Sequence, residues 1–220
     1  MIFNKTNFNA CGERSDWDLG NQVLYDLCKN HPFHNKPDEI IAKMWLIGRS
    51  YAASIERRKN KKNETNDEFY SKVVNEVINF NRQEKLDERI KKLDNLEINK
   101  SMVKQLLVLH KDLLKLLEKL TKLDKRSFVS KYLHFHCENI PIYDSRAKIG
   151  MMALSKGFKK ETKLIKKDLI NELNKEEYDE EYLDFCSRYL ACYNSIKSKI
   201  GNKKISARWM DNYLLYLAEK

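Results

Sequence analysis

Glycine occurs only six times and proline three times in this chain of 220 residues. Sandwiches and barrels turn sharply many times, and their corners draw on these two residues for positive φ or a preset turn. So few turn-formers leave helices as the elements that can account for the length. The 42% hydrophobic content suffices to bury a core in a domain of this size, so general disorder is excluded despite a mean hydropathy of −0.68.

Apolar residues recur at helical spacing through most of the chain. Val23, Leu24 and Leu27 mark a helix over 16–30, with Ser15 and Asp18 in capping-box spacing at its start. Pro37 stands where a first helical turn accepts proline. Ile40, Ile41, Met44, Trp45, Ile47, Tyr51 and Ile55 then form a broad stripe that predicts one buried helix over 38–58. Residues 60–67 hold no apolar side chain and read as an exposed loop. Helical patterns resume over 68–80, 83–96 and the leucine-rich 100–123, then over the short, mixed 125–136. Glu138-Asn139-Ile140-Pro141 breaks the pattern, 139–143 reads as extended, and a new helix is expected around Asp144. Three more patterns follow over 162–174, 177–200 and 207–217. The fold class expected is all-α: a two-lobed helical bundle forming one domain over 1–220, with lobes 1–99 plus 171–220 and 100–170.

Lys and Arg number 42 against 32 Asp and Glu, a formal charge of +10. The excess belongs to 100–170, where 17 Lys/Arg face 7 Asp/Glu, while 171–187 carry a compensating −6. A basic region this concentrated suits a polyanion, because each neutralised phosphate releases counterions. A solvated lysine-rich surface is the plain alternative. Cys11, Cys28, Cys137, Cys186 and Cys192 make an odd number with no signal segment at the start, so a reducing, cytoplasmic setting is expected rather than a disulfide framework. No apolar run approaches the roughly 20 residues that cross a bilayer, so no membrane partner is expected. Cys28, His31 and His34 have ligand-like spacing, but Pro32 interrupts them and a fourth ligand is remote; neither a metal nor a cofactor is expected.

The densest chemistry lies in Lys125-Arg126-Ser127-Phe128-Val129-Ser130-Lys131-Tyr132-Leu133-His134-Phe135-His136 and in Ile140-Pro141-Ile142-Tyr143-Asp144-Ser145-Arg146-Ala147. Lys131 sits on an otherwise apolar and aromatic helix, 13 positions before Asp144 at a proline-preceded helix start. A lysine withdrawn from water loses its proton more readily, and the neutral amine attacks electrophilic carbon. Asp144 can cap the helix that follows, and its carboxylate can stabilise positive charge on a sugar or accept a proton. Read blandly, Lys131 is a surface lysine and Asp144 only a cap. His134 and His136, two apart on a helix, point in different directions and make no metal pair.

This order of helix, lysine, short loop, Pro-X-X-Asp and helix resembles the catalytic stretch of helix-hairpin-helix DNA glycosylases, in particular the 8-oxoguanine-glycosylase-like branch. Ser130-Lys131-Tyr132-Leu133-His134-Phe135 and Ile140-Pro141-Ile142-Tyr143-Asp144 carry the match. Trp45-Leu46-Ile47-Gly48-Arg49-Ser50-Tyr51-Ala52-Ala53, Tyr182-Leu183-Asp184-Phe185-Cys186 and Ala207-Arg208-Trp209-Met210-Asp211-Asn212-Tyr213-Leu214 are similar to stretches of bacterial proteins of that fold. Some of those proteins sit in antiviral defence loci. The resemblance implies excision of a damaged or modified base flipped out of double-stranded DNA, with abasic-site lyase activity where the lysine forms an imine. It makes Lys131 the nucleophile, with Lys125 as the other lysine open to that role, and Asp144 the supporting acid.

The hairpin is degenerate, because Leu123-Asp124-Lys125-Arg126-Ser127 holds no glycine where a Gly-X-Gly turn would hold a phosphate. The grip would fall to Lys122, Lys125 or Arg126. Arg49 and Arg146, each beside small or polar residues, are further phosphate candidates. Trp45, Tyr51, His134 and Trp209 are the candidates for a base pocket, against the plain reading that they are core. A monomer is expected. The competing functions are a non-catalytic DNA- or RNA-binding helical protein, and an interaction protein that pairs through its 100–123 helix.

Overall fold

The computed structural model describes residues 3–12, 16–59, 62, 64–201 and 204–220. Among them the regular structure is all helical: α1 (Lys5–Ala10), α2 (Asp16–Asn30), α3 (Pro37–Ser50), α4 (Asn66–Glu84), α5 (Leu86–Asp94), α6 (Lys100–Thr121), α7 (Arg126–His136), α8 (Ser145–Leu154), α9 (Lys159–Leu173), α10 (Glu180–Ile200) and α11 (Ala207–Ala218). A 3-10 turn, Ser155–Phe158, joins α8 to α9. The helices fall where the apolar spacing puts them, with one exception and one addition. The addition is α1, too short to show a period. The cap expected at Ser15 lies outside the described residues.

The exception is the helix expected over 38–58, which ends at Ser50. Ala52 takes a left-handed φ of 50°, and the chain folds back across Gly48, where a β-carbon would lie 3.2 Å from Ser54 Cα. Two cations then take up main-chain carbonyls of the segment that follows. Arg58 donates to the carbonyls of Glu56, Glu64 and Thr65 at 2.8–3.2 Å, and Lys125 Nζ donates to those of Ser54 and Arg57 at 3.0 and 2.6 Å. Ile55 is buried all the same, so its place in the apolar stripe reflects burial and not helix. The turn gives way to α4 through a capping box, with Thr65 Oγ1 accepting from Glu68 N and the Glu68 carboxylate accepting from Thr65 N.

The chain divides into two compact units. The first comprises 1–15, 96–108 and 138–220; the second comprises 16–95 and 109–137. The stretch 100–170, read from its charge as one lobe, is thus divided between them. Lys131 belongs to the second unit and Asp144 to the first.

In the first unit α8 lies directly on α11, and a β-carbon on Gly150 would fall 2.0 Å from the Leu214 carbonyl oxygen. α10 packs on α8 and α9. α1 is held to α11 by aromatic contact: Phe8 stacks on Trp209 at 4.8 Å and meets the edge of Tyr213 at 5.1 Å. The connection before α8 is fastened where the Tyr182 hydroxyl donates to the Pro141 carbonyl at 2.9 Å.

In the second unit α7 is the innermost helix. All eight residues from Phe128 to Phe135 are buried, and α2, α3 and α5 pack around it. This explains its mixed sequence. A helix enclosed on all sides has no solvent face to mark a period, and its polar residues must find partners inside. The turn into α7 manages without glycine: Lys122 adopts φ 58°, and Asp124 Oδ1 accepts from Arg126 N at 2.8 Å.

Candidate functional site

Lys131 projects from the middle of α7 and is only 3% exposed. Its Nζ donates to Ser127 Oγ, one turn earlier, at 3.0 Å and lies 5.4 Å from the centre of the Tyr51 ring. Tyr51 is itself held, its hydroxyl donating to Asn21 Oδ1 at 2.5 Å. Tyr51 and His134 both reach Phe135, with ring centres 5.4 and 5.5 Å from it. His134 is fully buried, and its Nε2 meets the Tyr25 hydroxyl at 2.6 Å. The second unit therefore brings Lys131, Tyr51 and His134 into one aromatic cluster. Trp45 is half exposed and carries the Arg49 guanidinium 4.7 Å above its ring.

Lys125 is a second amine withdrawn from water, at the N-cap of α7. Burial, with the Arg57 charge added, lowers its pKa to about 8. Lys43 of α3 is a third: it is fully buried and donates to the carbonyls of His31 and Phe33 at 2.8 and 3.0 Å. Burial lowers it likewise to about 8, against the opposing pull of Cys28, Asp87 and Glu39.

All three arginines expected to meet phosphate hold carboxylates. Arg49 donates to both oxygens of Glu56 at 2.9 and 3.0 Å, and Arg126 pairs with Asp124 at 2.8 Å. In the first unit Arg146 pairs with Glu219. Lys122 is exposed at the end of α6. Asp144 is the N-cap of α8, its Oδ1 accepting from Ala147 N at 2.9 Å, as its position before the helix predicts. The Trp209 indole donates to the Phe8 carbonyl at 2.6 Å and so fastens α1.

Sequence reasoning missed the best-ordered polar chain in the second unit. His34 Nδ1 lies 2.5 Å from Asp87 Oδ1, and its Nε2 lies 2.7 Å from the Tyr132 hydroxyl. Burial opposes the charge on Asp87, but hydrogen bonds from His34 and Asn81 hold its carboxyl below the usual range. An ionised Asp87 only accepts, so His34 carries its proton on Nδ1 and Tyr132 donates to Nε2. The chain is thus Tyr132 to His34 to Asp87, with Asn81 Nδ2 donating to Asp87 at 2.8 Å. His34 is 53 positions from Asp87 and 98 from Tyr132, so no local spacing announces it. Nor do Cys28, His31 and His34 form a set: His31 pairs with Glu39 at 3.0 Å, while burial pushes the Cys28 thiol up to about 12. Among the described residues no three His, Cys, Asp or Glu gather as a metal ion requires.

His136 closes this cluster, its ring 5.0 Å from that of His34 and 4.9 Å from that of Tyr132, with Nε2 buried and unpartnered. Burial, with the Lys43 charge added, pushes it well below its usual 6.5; burial also lowers His34. Histidines held neutral in the folded chain take up protons on unfolding, so stability is full above about 6.5 and falls as pH drops below it. Melting temperature is expected to decline from pH 7 to pH 5, and His136→Phe to flatten the decline by roughly one proton's worth. An unchanged pH profile in that variant would exclude His136 as a contributor.

Chemically, the second unit offers amines withdrawn from water, one of them, Lys131, beside an aromatic ring, a setting in which an amine attacks a carbon electrophile. Compared with protein-family models, curated proteins and solved structures, the chain matches none of them.

Proposed function

We propose that this chain is a DNA glycosylase, with lysine chemistry on α7, that flips a damaged or modified base from double-stranded DNA and cleaves its N-glycosidic bond. The observation that carries the reading is the pair of amines withdrawn from water on one helix, Lys131 against an aromatic ring and Lys125 titrating near 8. Both lie in 100–170, the region that holds the positive excess, which supports a polyanionic substrate. The fold that goes with this reading is the helix-hairpin-helix glycosylase fold with its glycine turn replaced at Lys122, and the setting is antiviral defence.

In the reaction, Lys131 Nζ gives up a proton and bonds to C1′ of the flipped nucleotide. The C1′–N bond breaks, its electron pair leaves with the base, and the base takes up a proton. Opening of the sugar ring yields an imine, from which loss of a C2′ proton to a base and of the 3′ phosphate by β-elimination cuts the strand. Asp144 is the supporting carboxylate that the resemblance assigns.

Borohydride trapping on duplexes bearing oxidised, alkylated or hydroxymethylated bases tests this, with free bases read by mass spectrometry. A covalent adduct is expected with the native chain and none with Lys131→Ala. An adduct that survives Lys131→Ala and vanishes in Lys125→Ala would move the nucleophile to Lys125. Base release without trapping, reduced at least about a hundredfold in Asp144→Asn, would make Asp144 the activator of water. Binding without release from any substrate would leave a non-catalytic DNA-binding protein.

A further inference from the structure

We infer that the exposed face of α9 is the surface that lies along a DNA phosphate backbone, an inference that rests on the reading of this chain as a DNA-binding enzyme. Lys159, Lys163 and Lys167 follow one another at four-residue spacing, about 6 Å apart along the helix axis, and Lys160 lies beside them. All four are exposed, and none of their side chains has an ion pair or hydrogen bond among the described residues. The buried face of the same helix, Thr162, Leu169 and Leu173, lies elsewhere on its circumference.

The contrast with neighbouring lysines is what singles this face out. Carboxylates are plentiful in the first unit, and other lysines there use them: Lys100 pairs with Asp168, Lys148 with Glu181, and Lys166 with Asp184. Asp168 on α9, with Glu181 and Asp184 after it, thus pairs with cations around the stripe and not with the stripe. Like charges at four-residue spacing repel, and Lys159 and Lys160 stand in the first turn, where positive charge opposes the helix dipole. Glu161 is the one acid of that turn, so two lysines still outnumber it there, and a row of cations that repel one another complements a polyanion. The arginines proposed from sequence to meet phosphate already hold Glu56, Asp124 and Glu219.

The test measures binding of a short fluorescent DNA duplex across a salt series. The quadruple variant K159Q/K160Q/K163Q/K167Q is expected to bind at least about thirtyfold more weakly near 100 mM salt, with the slope of log K against log salt reduced by about 3 to 4. The matching quadruple arginine variant is expected to restore both values. K72Q/K91Q/K92Q, on exposed positions of the second unit, is expected to bind as the native chain does. Native binding with an unchanged slope in the α9 glutamine variant would overturn the α9 assignment and leave the glycosylase reading standing. A native chain that binds no duplex at low salt would overturn both. Lysine-dependent binding to phosphatidylserine vesicles, with none to DNA, would reassign the face to a lipid surface and overturn the inference.

Discussion

Replacing Gly150 by alanine is expected to destabilise the first unit by about 3 kcal/mol or more, and replacing it by valine to prevent that unit from folding. An added β-carbon would sit 2.0 Å from the Leu214 carbonyl oxygen and 2.7 Å from its carbon. Overpacking costs about 1–3 kcal/mol where the obstacle is a side chain that can turn away. Here the obstacle is the main chain of α11, so relief requires α8 and α11 to separate along the closest helix contact of the unit. Gly20→Ala is the control: nothing lies within 4 Å of its added carbon, and α2 is expected to gain about 0.5–1 kcal/mol. Urea denaturation of the two single variants decides the matter. A Gly150→Ala chain as stable as the native one would mean that the two helices do not touch there.

Asp87→Ala is expected to cost the second unit about 3–4 kcal/mol. The carboxylate accepts from the His34 main-chain N–H at 3.2 Å, from His34 Nδ1 at 2.5 Å and from Asn81 Nδ2 at 2.8 Å. Alanine would leave three donors without an acceptor, and each buried orphan costs about 1–3 kcal/mol, less where water can reach it. Asp87 is partly exposed, which places the total at the lower end of the sum. Tyr132→Phe removes a single donor from His34 Nε2 and is expected to cost about 1 kcal/mol. If Tyr132→Phe proved as costly as Asp87→Ala, the carboxylate would not be the anchor of the chain. In Asp87→Ala the His34 ring also loses the partner that fixes its tautomer, which nitrogen chemical shifts would register.

Helices that expose one face were legible from sequence because burial on one side writes a period into it. α2, α6 and α11 begin where the spacing begins. Two things were not legible. Ile55 continued the apolar stripe of α3, yet the chain had already left the helix; a period records which residues are buried and not the backbone that buries them. Lys125, about 70 residues away, holds the Ser54 and Arg57 carbonyls in the turn beyond α3, and a contact at that separation leaves no local trace. At the candidate site, Lys131 and Asp144 stood out by residue type and order, and Asp144 is the cap its position foretold. The His34–Asp87 pair did not stand out, because its members lie far apart in sequence and each alone looks ordinary.

The division of the chain into units has a consequence in time. Every segment of the second unit has left the ribosome once residue 137 is clear, whereas the first unit waits for α11 to meet Phe8 and Gly150. Domains fold as units during synthesis, normally from the N-terminal end. Here the nested unit completes first, and α1, made before it, keeps Phe8 without its partner until α11 arrives.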